Sequence, residues 1–134
     1  MKLHFRFLAA LITVTSFLGM SGAALAHHSA ASWDLSQRIS ITGTVKEVQF
    51  RNPHGRLELV VDENGKEQLW DIETSAINLL MRRGWTPNRI KVGDKVTLNG
   101  HPHKTLEHQL YLRTVTLPDG TTFGDPTGQD KALD

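Results

Sequence analysis

Apolar and polar residues alternate from Arg38 onward, and the alternation changes phase once. Ile39, Ile41, Gly43 and Val45 share one parity, while Val48 and Phe50 share the other. Side chains of a strand point to opposite faces in turn, so a buried set cannot change parity without an extra residue. The pattern therefore predicts a long, bent first strand with a β-bulge at Lys46-Glu47. Asn52-Pro53-His54-Gly55 is a turn cluster, and Leu57, Leu59 and Val61 alternate behind it as a second strand. Asp62-Glu63-Asn64-Gly65 contains Asn-Gly, whose residues tolerate the positive φ of a tight hairpin turn. A third strand follows over 68–73, with Trp70 and Ile72 on its buried face.

The period then changes. Ile77, Leu80 and Met81 fall at i, i+3 and i+4 and predict one short helix with an apolar stripe. Thr74 or Ser75 is placed to cap its start. Arg82 and Arg83 suit the negative end of the helix dipole, Gly84 suits a left-handed stop, and Trp85 can pack back on the helix. Thr86-Pro87 predicts one further short turn. Val96 and Leu98 mark a fourth strand, 100–109 reads as a loop, and 110–117 is a fifth strand. Pro118-Asp119-Gly120 turns into a short extension at 121–123. Five strands, a bent first strand and a helix between the third and fourth predict an all-β, OB-fold-like, partly open barrel. A β-sandwich is the other arrangement open to this pattern. The expected core includes Val45, Leu59, Trp70, Ile72, Leu80, Val96 and Leu98.

The amino terminus belongs to a different class. Lys2 and Arg6 precede an apolar run over 7–18, and small residues follow to Ala24-Leu25-Ala26. That is the layout of a secretory signal peptide with an A-x-A cleavage site, and the run is short of the roughly 20 residues of a membrane span. The expected organisation is a leader over 1–26, an amino-terminal arm over 27–38, the barrel over 39–124 and a flexible tail over 125–134. Cleavage makes His27 the first residue of a periplasmic or secreted protein with no membrane span. It also removes Lys2 and Arg6, so the formal charge of +1 for the whole chain becomes −1. A nearly neutral exported domain has no electrostatic reason to seek nucleic acid. There is no cysteine, so disulfides and lipid attachment at a leader cysteine are excluded.

Several short motifs come in a recognisable order. These are His27-His28-Ser29, Thr42-Gly43-Thr44-Val45, Asn52-Pro53-His54, Arg83-Gly84-Trp85-Thr86, Val92-Gly93-Asp94-Lys95-Val96 and Val115-Thr116-Leu117-Pro118-Asp119-Gly120. In that order the chain resembles small exported bacterial proteins of the domain-of-unknown-function family 6152, over essentially all of the mature chain. The resemblance implies export and a small β-rich domain. It implies no activity and no catalytic residues. Members often have an aromatic residue near position 30, where this chain has Ala30-Ala31 and then Trp33.

Chemistry must therefore be read from the histidines. His27, His28, His54, His101, His103 and His108 remain after cleavage. His54 lies between the first two strands, and His101, His103 and His108 lie in or beside the connection between strands four and five. In an OB-fold these two loops flank the usual ligand face. A terminal His27 adds an amine that chelates together with its imidazole. Nitrogen ligands of this kind suit Cu(II), Ni(II) or Zn(II), with copper favoured by intrinsic affinity. The metal candidates are His27, His28, His54, His101 and His103. Each also has a plain reading: His54 as turn chemistry bonded to a backbone carbonyl, His101 and His103 as a solvated loop, His27 and His28 as polar arm residues. Asp62, Glu63, Asp71 and Glu73 read as solvated charge around a hairpin. Arg82-Arg83 reads as a helix end before it reads as a phosphate site. No nucleophile elbow or cysteine nucleophile is present, so no catalytic residue is assigned. Two functions fit: a non-catalytic module with a histidine-based copper site, or a module that takes a peptide, a sugar or a periplasmic partner protein without metal.

Overall fold

The computed structural model describes residues 31–125. The strands are β1 (Ile39–Gln49), β2 (Arg56–Glu63), β3 (Lys66–Glu73), β4 (Lys95–Pro102), β5 (Gln109–Thr116) and β6 (Thr122–Gly124), with one helix, α1 (Ile77–Arg82), between β3 and β4. They lie in the order β3-β2-β1-β4-β5-β6, and a parallel pairing of β3 with β5 closes the first five into a barrel. This is the connectivity of an OB-fold.

β1 makes closure possible because it serves both halves of the barrel. Its first half pairs with β4 from Ile39↔Gly100 to Thr44↔Lys95. Its second half pairs with β2, and the register slips between Val45 and Glu47. The extra residue puts Lys46 and Glu47 both in solvent, and the buried parity changes there. Asn64 and Gly65 have φ of 58° and 81°, as a two-residue hairpin turn matching the strand twist requires, and Asp62 Oδ1 accepts the Gly65 N–H at 2.7 Å.

The core is continuous. Val45, Leu59, Trp70, Ile72, Leu80, Val96 and Leu98 are all buried in it, joined by Leu57, Leu110, Leu112, Val115 and Phe123. Trp85 closes the helical side, where its N–H bonds to the Leu80 carbonyl (3.0 Å) after Gly84 turns the chain.

Three local expectations need correction. The segment 100–109 is not all loop: β4 continues through Gly100 and His101 to Pro102, past a bulge at Asn99/Gly100. Gly100 permits this, since a Cβ there would stand 2.2 Å from the Tyr111 carbonyl oxygen. Neither Thr74 nor Ser75 caps α1. The cap position is Ala76, with no side-chain bond, because the Thr74 hydroxyl bonds to the Ser75 carbonyl and the Ser75 hydroxyl to Tyr111. Met81 is not in the apolar stripe; it is 55% exposed, and Leu80 is the buried residue of α1.

Candidate functional site

The outer face of β3, β5 and β4 carries the chemistry. Arg56 faces Glu73 across β2 and β3, Glu73 faces Tyr111 across β3 and β5, and Tyr111 faces His101 across β5 and β4. Directly opposed residues share a face, so Glu73, Tyr111 and His101 form one row. His54 stands at the Glu73 end of that row, with its Nδ1 3.7 Å from a Glu73 carboxylate oxygen.

The arm covers the other end. Asp34 N–H bonds to the Pro102 carbonyl and Lys104 N–H to the Ser32 carbonyl, both at 2.9 Å. Lys104 Nζ reaches the Ala31 carbonyl at 2.7 Å. Trp33 is thereby 4% exposed, 5.2 Å from the His103 ring and 5.7 Å from the Tyr111 ring. Asp34 holds the turn that follows, accepting from the Ser36 hydroxyl, the Ser36 N–H and Gln37. The Ser36 hydroxyl bond does most to hold the Asp34 carboxyl below its ordinary pKa. Trp33 was legible only as a lone aromatic in a polar arm; nothing in the alternation marks its seat on the outside of the barrel.

Hydrogen bonds assign the tautomers of the histidines. A carbonyl oxygen only accepts, so His54 donates Nδ1–H to the Thr74 carbonyl at 3.0 Å. His101 does the same to the Gln37 carbonyl at 2.7 Å. In both neutral rings the lone pair is then on Nε2. A metal-bound histidine has its remote N–H held in the same way. His103 is arranged oppositely: its Nδ1 accepts the N–H groups of Thr105 and Leu106 at 3.2 and 3.1 Å, which leaves the proton on Nε2. His108 turns Nε2 toward Glu63 Oε2 at 3.4 Å, and Glu63 Oε1 accepts the Trp70 indole N–H at 2.8 Å.

The structure thus brings His54 and His101 to one row, with His101 buried beneath the arm and His54 partly in solvent. His103 is placed beside Trp33 with its Nδ1 committed. His27 and His28 lie outside the described residues. Among the described residues no three His, Cys, Asp or Glu side chains gather closely enough to hold a metal ion. The carboxylates expected to be solvated have partners: Asp71 pairs with Arg56, Glu73 stands by His54, and Glu63 bridges Trp70 and His108. The surface has two open depressions, the first at the Glu73 end of the row. One, of about 320 Å³, is lined by Arg51, Asn52, Pro53, His54, Arg56 and Glu73. The other, of about 530 Å³, lies between Trp70, Glu63 and the loop from His103 to His108.

Tyr111 sits at the centre of the row, its hydroxyl 3.0 Å from that of Ser75. Burial pushes its phenol pKa above the ordinary 10.0, against the smaller opposing effect of the Ser75 bond. It is the one tyrosine of the chain, so tyrosinate absorbance reads this group alone. The folded state holds the proton more firmly than the unfolded state does. Stability from this group is therefore full below the unfolded pKa and is lost as pH rises through the folded one. The phenol should titrate above 10.0, and Tyr111→Phe should flatten the alkaline loss of stability. A titration at or below the ordinary value contradicts the enclosure of the ring.

The molecule is an OB-fold barrel whose outer face is covered by an amino-terminal arm and carries two oriented imidazoles. It belongs to the family of unknown function DUF6152, whose model matches residues 15–110. The match stops at the start of β5, so the Val115–Gly120 motif lies beyond it. No curated protein matches the chain. Among solved structures it is similar to the mitochondrial single-stranded DNA-binding protein Rim1 of S. cerevisiae. One crystal form is 17% identical, with 61% of this chain and 93% of that chain covered at a TM-score of 0.47. A second form is 14% identical, with coverage of 61% and 92% and a TM-score of 0.46. No described helix is long and apolar enough to cross a membrane.

Proposed function

We propose that the protein is an exported, non-catalytic binding module whose arm-covered face takes a transition metal, copper above others. The reading rests on one observation: His54 donates Nδ1–H to the Thr74 carbonyl, which orients the ring with its Nε2 lone pair as a ligand nitrogen, and His101 lies further along the same row. Terminal-amine and imidazole nitrogens without thiolate favour Cu(II) among the divalent ions. His27, after cleavage behind Ala26, supplies the chelating amine and a further imidazole, and His28 stands beside it. His103 is the weakest of the candidate ligands, since its Nδ1 lone pair already receives two backbone N–H groups. The second reading, a peptide-, sugar- or protein-binding module without metal, is favoured by the depression of about 530 Å³ beside Trp70, a size common for small-ligand sites.

The test is Cu(II) titration of protein whose intact mass shows that it begins at His27, beside the His54→Ala variant. Affinity should fall at least about tenfold in the variant, the equivalent of one lost ligand contact of roughly 1.4 kcal/mol. Binding in both should weaken in acid as the nitrogens take up protons. Equal affinity in the two proteins, or none in either, puts the metal-free module in front.

A further inference from the structure

The depression of about 530 Å³ lies where Glu63, at the end of β2, and Trp70, on β3, meet the loop from His103 to His108. It shares no lining residue with the depression beside His54. Its polar groups are held in fixed orientations. Glu63 Oε1 accepts the Trp70 indole N–H at 2.8 Å, and Oε2 stands 3.4 Å from His108 Nε2. The Glu63 side chain is still 37% exposed, and a carboxylate has about four lone-pair sites, so acceptor capacity remains for a ligand. His103 is the complementary donor. The Thr105 and Leu106 N–H groups occupy its Nδ1 lone pair, which fixes the proton on Nε2. That N–H has no hydrogen-bond partner among the described residues. The side-chain amide of Gln109 also lines the depression, its donor and its acceptor both without partners among the described residues. Leu106, 52% exposed, and Pro102 supply apolar surface at the same place.

These groups discriminate between classes of ligand. A carboxylate or a phosphate has no proton to donate to Glu63. Two carboxylates of the lining, Glu63 and Glu107, also outnumber its one lysine, Lys104, whose Nζ is engaged by the Ala31 carbonyl at 2.7 Å. An ammonium donates to Glu63 but cannot accept from His103. An extended peptide adds to a sheet edge through free backbone groups, and here those groups are taken. The His103 N–H bonds to the Gln109 carbonyl, the Lys104 N–H to the Ser32 carbonyl, and the next two N–H groups to His103 Nδ1. A hydroxyl, by contrast, donates and accepts through one atom. Neighbouring hydroxyls on a ring with apolar C–H edges match a fixed acceptor, a fixed donor and an amide beside leucine and proline.

We propose that this depression binds a neutral saccharide of disaccharide size through Glu63, His103 and Gln109. It rests on the metal-free reading of the same depression, narrows that reading to one ligand class, and leaves the copper ligands His54 and His101 untouched. Pyranose hydroxyls donate to Glu63 and accept from His103 Nε2–H and the Gln109 amide, while a C–H face of the ring rests on Leu106 and Pro102. The depression is open, so water competes for each of these bonds. The dissociation constant is accordingly on the order of millimolar.

The experiment is titration of the purified protein with maltose, cellobiose and N,N′-diacetylchitobiose, with EDTA present to keep metal from the histidines. The readout is the indole N–H resonance of Trp70, assigned with Trp70→Phe among the three tryptophans of the chain, together with the backbone amide resonances of 103–109. At least one sugar should shift these resonances to saturation. Glu63→Gln keeps an oxygen for the Trp70 N–H and loses the carboxylate, and Gln109→Ala removes a side chain without an internal bond. Each should weaken the binding at least about threefold, the effect of one lost hydrogen bond. If Glu63→Gln does not fold, Gln109→Ala carries the comparison. No saturable shift with any of the three sugars, or unchanged affinity in either folded variant, overturns the proposal. A capped Gly-Ala-Gly peptide separates the two levels of failure. Saturable binding of the peptide with none of the sugars removes the saccharide and keeps the metal-free module, whereas binding of neither removes both.

Discussion

Trp70→Ala should lower the stability of the barrel by about 3–5 kcal/mol, the range for deleting an enclosed aromatic ring. Trp70 is 9% exposed, faces the core from β3 and is packed opposite Leu59. Its indole N–H bonds to Glu63 at 2.8 Å, and the His108 ring meets it edge-on at 5.4 Å. The substitution thus removes core volume and also takes the donor from a half-buried carboxylate. Against a typical total stability of about 5–15 kcal/mol, such a loss brings unfolding close to ordinary temperatures. Trp70→Phe separates the two contributions: it keeps most of the ring and loses the hydrogen bond, a loss of about 0.5–1.5 kcal/mol. Denaturant unfolding of the two variants measures both. A loss below about 1 kcal/mol for the alanine variant is the behaviour of a surface position and would contradict the assigned face of β3.

The barrel was legible in the sequence because its determinants are local. The change of parity between Val45 and Val48 marks the bulge, and the bulge lets one strand serve both halves of the closure. Asn64-Gly65 marks the hairpin, and Gly84-Trp85 marks the end of α1. The end of β4 was not legible. Gly100 and Pro102 read as loop residues, yet they pair with Leu112 and Leu110. A glycine that makes way for the neighbouring strand looks in sequence like a glycine that turns the chain. The placement of His101 depends on that difference: in a loop it is a solvated imidazole, and on β4 it is a buried one bonded to the arm. For His54 the plain expectation, a bond from the imidazole to a backbone carbonyl, is what the turn shows. The ion pairs of Arg83 and Arg113 with Asp125 were invisible because the three residues are far apart in sequence: Arg83 reads as a helix end, Asp125 as the first residue of a tail, and nothing in the strand pattern singles out Arg113.

Placing one extra residue before His27 should weaken Cu(II) binding by at least about tenfold, a loss of roughly 1.4 kcal/mol. The amine and imidazole of a terminal histidine close one chelate ring with the metal, and an added residue turns that amine into an amide. The arm makes this ligand reachable. From His27 to Trp33 the chain can extend at most about 20 Å, and Trp33 is already seated against Tyr111, the neighbour of His101 in the row. Ordering backbone costs about 1–2 kcal/mol per residue. Trp33 is a fixed point six residues from His27, nearer to the terminus than β1 is. Without the anchor the whole stretch up to β1 has to be ordered. Trp33→Ala should therefore also weaken binding while leaving every proposed ligand in place. Arm and terminus then act through one device, and their combined variant should lose less than the sum of the separate losses. Titration of the four proteins with Cu(II), at a pH where the amine is free, gives the comparison. Affinity unchanged by the added residue would remove His27 from the site. Affinity unchanged by Trp33→Ala would mean that the metal is held without the arm.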